Sequence, residues 1–121
     1  MLQSINPKPY DLEERTFQFA KRCRDFVQRC PKTLTNYEYG KQLLRSSGSI
    51  ASNYIEANEA ISKKDFSHRI KISRKEAKES RLWLRLWDAS SNERLRVEQQ
   101  ELMQEAVELG KIFGKIVEKT K

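Results

Sequence analysis

Residues 66–87 read FSHRIKISRKEAKESRLWLRLW, and this stretch carries the clearest signal of the fold. Seven residues recur in it in alternating steps of four and three: Phe66, Ile70, Ser73, Ala77, Ser80, Leu84 and Trp87. Steps of this size place all seven side chains on one side of an α-helix. A sustained seven-residue repeat is typical of helices that pack nearly parallel to one another. The stretch therefore predicts a helix over about residues 63–88 that buries this side against its neighbours.

The same spacing recurs in three further segments, over about residues 11–30, 35–60 and 93–119. Their predicted buried lines are Leu12, Thr16, Phe19, Cys23, Phe26 and Cys30 in the first segment, Leu43, Ser47, Ile50, Tyr54, Ala57 and Ile61 in the second, and Leu95, Gln99, Leu102, Ala106, Leu109, Phe113 and Ile116 in the last. Four amphipathic helices with short connections predict an all-α protein, an antiparallel up-down-up-down four-helix bundle. Residues 11–121 would form this one domain.

Residues 1–10 are predicted to form an extended N-terminal arm, because Pro7 and Pro9 favour an extended backbone. Asp11 would then cap the first helix, with Glu14 completing a capping box. Ser62 and Asp65 give the same signal before the third helix.

Composition excludes several classes of protein. The 121 residues are 37% hydrophobic and 34% charged, and no apolar run approaches the roughly 18 residues that a membrane span needs. With four Gly and three Pro, a β-sandwich or barrel is excluded, because such folds need frequent turns. The first residues contain no apolar stretch typical of a secretory signal. We therefore expect a cytoplasmic protein with no membrane association.

Neither a catalytic set nor a metal site is recognisable in the sequence. Cys23 and Cys30 would lie about 10 Å apart on one helix, too far for a disulfide, so we expect free packed thiols. His68 is the only histidine, and no ligand motif surrounds it. Glu76 and Glu79 are interpreted as ordinary helix-surface acids. We expect no catalytic residue, no metal and no cofactor, and hence a protein that is not an enzyme.

Charge is sorted along the third predicted helix. The chain carries 24 Lys or Arg and 17 Asp or Glu, and residues 61–91 contain nine of the former and four of the latter. On a helical wheel the cations fall on one flank and the acids on the other, which indicates a surface for a polyanion. The alternative is a solvated basic face without a ligand. The candidate nucleic-acid-binding residues are Lys71, Arg74, Lys75, Lys78, Arg81 and Arg85, with Arg22 and Arg29 of the first helix, beside Arg15, as helpers.

Three large apolar residues of the third helix, Ile72, Trp83 and Leu86, lie outside its buried line on the acidic flank. They predict an interface between subunits, in which Glu76 and Glu79 would meet cations of the next subunit. The alternative is that neighbouring helices of the same bundle cover them.

The segment Ser46–Ser52 has unusually small side chains. It is either a helix break whose free amides bind an anion, around Gly48, or a helix whose small side chains let a neighbour approach closely.

Residues 42–57, QLLRSSGSIASNYIEA, resemble the core motif of a bacterial four-helix-bundle family. That family includes the S23 proteins encoded in intervening sequences of 23S ribosomal RNA genes, and the resemblance covers about residues 9–120. The chain is also similar to the basic, pentameric accessory protein of diversity-generating retroelements, which associates with nucleic acid and a reverse transcriptase. The resemblance implies a four-helix bundle that often forms a ring-like homopentamer, and it supplies no binding residues.

Together these features predict a non-enzymatic, basic, oligomeric protein that binds the phosphate backbone of a nucleic acid, RNA rather than DNA, without reading sequence. The alternative is a protein-interaction scaffold, in which a ring of subunits docks a partner protein.

Overall fold

A computed structural model describes residues 9–121, which form four α-helices without a strand in that range. They are α1 (Pro9–Arg29), α2 (Leu34–Asn58), α3 (Lys63–Leu86) and α4 (Glu93–Lys119). Residues 1–8 of the predicted arm lie outside the described residues. Pro9 is helical, so α1 begins two residues earlier than predicted, and proline suits such a first position. Asp11 therefore lies within the first turn instead of capping it, where its charge favours the helix dipole.

The backbone of each helix lies close to those of two others. Within the described residues, α1 and α3 each lie beside α2 and α4, whereas α2 and α4 are diagonal to one another and meet through side chains such as the rings of Tyr54 and Phe113. The Ser46 and Ser80 hydroxyls lie 2.8 Å apart, and further along α2 the Ile50 carbonyl accepts a hydrogen bond from Ser73 at 3.0 Å. Residue numbers thus rise along α2 as they fall along α3. The predicted antiparallel four-helix bundle is confirmed.

The core contains almost all of the predicted lines. Every predicted member of α1 is buried, as are those of α4 as far as Phe113. Ile61 was predicted wrongly: it is 98% exposed, because α2 ends at Asn58 and the chain has already left the helix. Near the end of α4, Val117 is buried at 2% exposure and Ile116 only in part.

The small residues of α2 allow α3 to approach closely. The helix runs unbroken through Gly48, so its amides are engaged in helical hydrogen bonds and the interpretation as an anion-binding break is wrong. Ser46, Ser73 and Ser80 are buried where the two helices meet, and Ser47 is buried beside Cys23 of α1. Short side chains and hydroxyl groups that bond within the interface let the backbones come together.

Asn36 connects the two loops at one end of the bundle. It is 3% exposed, and its side-chain amide donates to the carbonyl oxygens of Pro31 (3.3 Å) and Asp88 (2.9 Å). Its side-chain oxygen accepts a hydrogen bond from the Asp88 amide at 3.2 Å. The α1–α2 and α3–α4 loops are thereby held to one buried side chain. Beside it Gly40 permits close packing, because a Cβ there would lie 3.2 Å from Val27 and 3.3 Å from Trp87.

Side-chain caps begin the last three helices. Thr33, Ser62 and Asn92 each accept a hydrogen bond from the amide three residues later. The cap predicted at Ser62 is therefore confirmed. Such caps satisfy amides that have no partner within the helix.

Candidate functional site

The predicted cations of α3 lie on the surface and are largely unpaired. Lys71, Lys78, Arg81 and Arg85 are exposed, and Arg74 is half-buried. Within residues 9–121, none of these five has a carboxylate oxygen within 4.0 Å. Lys75 differs, because its Nζ lies 3.9 Å from the carboxylate of Glu76. The repulsion between these neighbouring charges is therefore not relieved by acids of the described bundle.

A groove between α3 and α4 gathers some of these cations. Its volume is about 550 Å³, and its lining includes Arg74, Lys78 and Arg81 from α3 and Lys111 from α4. Small residues also line it, namely Ala77, Ala106, Gly110 and Gly114. Sequence reasoning missed Lys111, since each helix was considered alone. The spacing of four between Gly110 and Gly114, with Ala106 one turn earlier, could have indicated a close approach on this side of α4.

A second groove extends this basic surface towards the start of α3. It has a volume of about 590 Å³ and is lined by lysines of α3 together with Lys121, which follows α4. Lys121 itself pairs with Glu118 at 3.2 Å. We call the combined surface the basic seam, comprising Lys63, Lys64, Lys71, Arg74, Lys78 and Arg81 of α3 and Lys111 of α4. From Lys63 to Arg81 it extends for about 27 Å along the α3 axis.

The arginines of α1 do not belong to this surface. Arg15 donates two hydrogen bonds to Glu105 of α4, at 2.7 and 2.9 Å. Nη2 of Arg22 lies 3.3 Å from Oε1 of Glu101, and Nη2 of Arg29 lies 2.5 Å from Oε2 of Glu98. Because acids of α4 already match the charges of Arg22 and Arg29, we do not include these two predicted nucleic-acid contacts in the basic seam.

The pKa values of two of these arginines reflect the pairing. Its hydrogen bond to Glu105 raises the pKa of Arg15 above the ordinary value. The hydrogen bond to Glu98 likewise raises the pKa of Arg29. The three ion pairs link α1 to α4 along their lengths.

Glu76 is not the surface acid that the sequence suggested. It is only 6% exposed, and its Oε1 is buried without a hydrogen-bond partner in the structure. The close approach of α2 covers this part of α3, which a wheel of α3 alone does not show. Glu79 stays half-exposed and lies 3.9 Å from Arg45 of α2.

The three predicted interface residues differ in their surroundings. Trp83 is half-buried, and its ring stacks on Tyr39 of α2 with centroids 6.0 Å apart. Ile72 is also half-buried. Leu86 is 46% exposed at the end of α3. Packing within the bundle therefore covers much of the Trp83 side chain, whereas the Leu86 side chain stays exposed to solvent.

Comparisons with known proteins cover most of the chain. The model of a family described as 23S rRNA-intervening sequence protein matches residues 9–115. The chain belongs to this family. The match spans all of α1, α2 and α3 and most of α4, so it includes both sides of the basic seam.

A solved structure supports the assignment of this chain to the 23S rRNA-intervening sequence protein family. It is a protein of unknown function from the S23 ribosomal protein family of Bacteroides thetaiotaomicron. It is 27% identical to this chain, with a TM-score of 0.72, and the alignment covers 88% of this chain and 97% of the other. No curated protein matches the chain significantly.

The chemistry that this family member offers at the seam is electrostatic. In the part of the chain described, no three His, Cys, Asp or Glu side chains come together as metal ligands. Cys23 and Cys30 are free and buried as predicted, and burial raises the pKa of the Cys23 thiol to about 12, so it stays protonated near neutrality. None of the four helices has the length and apolarity needed to span a membrane. What the seam provides is a row of cations on α3 that faces Lys111 of α4 across a groove.

Proposed function

We propose that this protein is a non-enzymatic RNA-binding protein that holds the phosphate backbone along its basic seam. The observation that carries the proposal is the row of α3 cations without carboxylate partners, beside α1 arginines that all have them. RNA is favoured over DNA because the family is described by an intervening sequence of 23S rRNA. Binding of cellular RNA would take place in the cytoplasm.

Binding would follow from charge and not from base recognition. Each phosphate that a Lys or Arg neutralises releases condensed counterions, which drives association at low salt. Within the described residues no Phe, Tyr or Trp lines either groove of the seam, and His68 at the second groove is the single ring there, so base stacking contributes little. Contacts of this kind position a strand without carrying sequence information.

The salt dependence of binding tests this proposal. If about six phosphates are engaged, a plot of log affinity against log salt concentration has a slope of about −4 to −5. Fluorescence anisotropy with a labelled RNA, titrated at salt concentrations between 50 and 300 mM, gives this slope. Affinity that does not change with salt, or no binding at 50 mM salt, would contradict the proposal.

We also propose that the protein is a homo-oligomer, for which the family resemblance suggests a pentamer. The exposed Leu86 lies on the same flank of α3 as the half-buried Ile72 and Trp83. A contact with a second copy would remove Leu86 from water and extend over this flank.

Light scattering of the nuclease-treated protein tests this assembly. We expect a mass several times the 14.3 kDa of one chain, and a lower mass for Leu86→Lys, because a charge in an apolar contact opposes association. Val97→Lys is the matched control, since Val97 is similarly exposed on α4. A single-chain mass at micromolar concentration, or equal effects of both variants, would refute the proposed interface.

A protein-interaction scaffold is the second candidate function, and one surface favours it. A groove of about 660 Å³ between α1 and α2 is lined by Glu13, Glu14, Phe17 and Ile55. Both apolar side chains are exposed, so a basic amphipathic segment of another protein would find apolar and charged contacts there. Nuclease treatment separates the candidates: bound RNA gives absorbance at 260 nm that nuclease removes, and a scaffold does not.

A further inference from the structure

The uncharged residues that line the α3–α4 groove are all small or short: Gly110, Gly114, Ala77, Ala106 and Val107. A Cβ added at Gly110 would lie 4.0 Å from the Ala77 methyl, and one at Gly114 would lie 3.9 Å from Cδ of Arg74. The two helices are therefore close together here, and the groove above their contact is open to a ligand because no long apolar side chain fills it.

Cations stand on both sides of this groove. Arg74, Lys78 and Arg81 recur along α3 in steps of four and three, so successive charges are about 5 Å apart along the helix axis. Lys111 faces them from α4 across the same groove. An anion that enters the groove is approached by positive charge from two sides, whereas one that rests on the rims meets only some of these groups.

This arrangement distinguishes between forms of RNA. A duplex is stiff and broad, and its phosphates lie on a convex surface, so it would contact the rims and leave the floor empty. A single strand is flexible and narrow, and it can place successive phosphates along a line of charges. We infer that the groove accepts the backbone of single-stranded RNA in preference to duplex RNA, with the bases turned outward. This inference rests on the proposed RNA-binding function and names the form of RNA that the same site prefers.

Two labelled RNAs of one composition test the inference on the unaltered chain: an unstructured 12-nucleotide strand and a fully paired 12-base-pair duplex. We expect the single strand to bind at least about tenfold more tightly at 150 mM salt. Equal or tighter binding of the duplex would overturn the inference, whatever the behaviour of any variant.

A variant that fills the groove without changing charge adds a second test. Gly110→Leu places an isobutyl group on the floor and leaves every cation in place. We expect it to reduce single-strand affinity about tenfold and to leave duplex affinity nearly unchanged. Gly48→Leu is the matched control, because a Cβ at Gly48 meets nothing within 4 Å and Gly48 lies on α2, away from the seam. Single-strand binding that survives Gly110→Leu in the folded protein would overturn the inference.

The outcomes also separate this inference from the function on which it rests. If both RNAs bind equally and charge reversal in the seam weakens both, RNA binding stands and the preference for single strands is wrong. If neither RNA binds at 50 mM salt, both proposals are wrong. Tighter binding of poly-glutamate than of either RNA would likewise overturn both and assign the groove to an acidic protein.

Discussion

Reversing two charges of the seam, in Lys78→Glu with Arg81→Glu, is expected to weaken RNA binding by on the order of 100-fold at 100 mM salt. Loss of two phosphate contacts alone lowers affinity about 25-fold at this salt, from the dependence of log affinity on the number of neutralised phosphates. The two new carboxylates add repulsion to that loss. The slope of log affinity against log salt should also become shallower by about 1.4. Anisotropy titrations of both proteins measure these changes.

The control must change net charge by the same amount elsewhere. Lys21→Glu with Arg94→Glu does so on α1 and α4, where both side chains are exposed and outside the seam. We expect this control to lose only a few-fold in affinity, through the weaker long-range field. Equal losses in the two double variants would mean that total charge, and not the seam, governs binding. Circular dichroism should show intact helices in both, since all four replaced side chains are exposed.

Replacing Asn36 by alanine is expected to lower the free energy of unfolding by about 3 kcal/mol. The change removes three side-chain hydrogen bonds in a site that is 3% exposed. It leaves the amide and carbonyl of Asp88 and the carbonyl of Pro31 without this partner, and each lost hydrogen bond costs about 0.5–1.5 kcal/mol. Urea denaturation followed by circular dichroism measures the loss.

Gln100→Ala is the control for this prediction, because it removes an exposed amide from α4. Its effect should stay within about 0.5 kcal/mol, as for most surface substitutions. A similarly small effect of Asn36→Ala would show that the two loops do not depend on this side chain.

The fold was predictable because spacing along one helix reports which side of that helix is buried. The line from Phe66 to Trp87 identified the inner side of α3. Ile61 shows the limit of this argument: it continues the spacing of α2, but the helix ends three residues earlier. The spacing of apolar residues does not show where a helix ends.

The α3 side of the site was predictable for the same reason. The sorting of Lys71, Lys78 and Arg81 to one flank is a property of α3 alone. The groups that a neighbouring helix presents cannot be predicted from α3 alone, so Lys111 was missed.

The pairing of the α1 arginines with acids of α4 could not be predicted for the same reason. The numbers of Arg15, Arg22 and Arg29 rise by seven while those of their partners on α4 fall, which is the pattern of antiparallel pairing. The burial of Glu76 likewise depends on how closely α2 approaches, and this is set by serines on both helices.

Photo-cross-linking tests the location of RNA on the protein most directly. A 12-nucleotide RNA carrying photoreactive azidophenacyl groups on backbone phosphorothioates would be irradiated with the unaltered chain, and the adducts located by mass spectrometry after digestion. We expect adducts on peptides from residues 71–85 of α3 and 107–115 of α4, reduced in Lys78→Glu with Arg81→Glu. Adducts confined to α1 and α2, or unchanged in that variant, would contradict RNA binding at the basic seam.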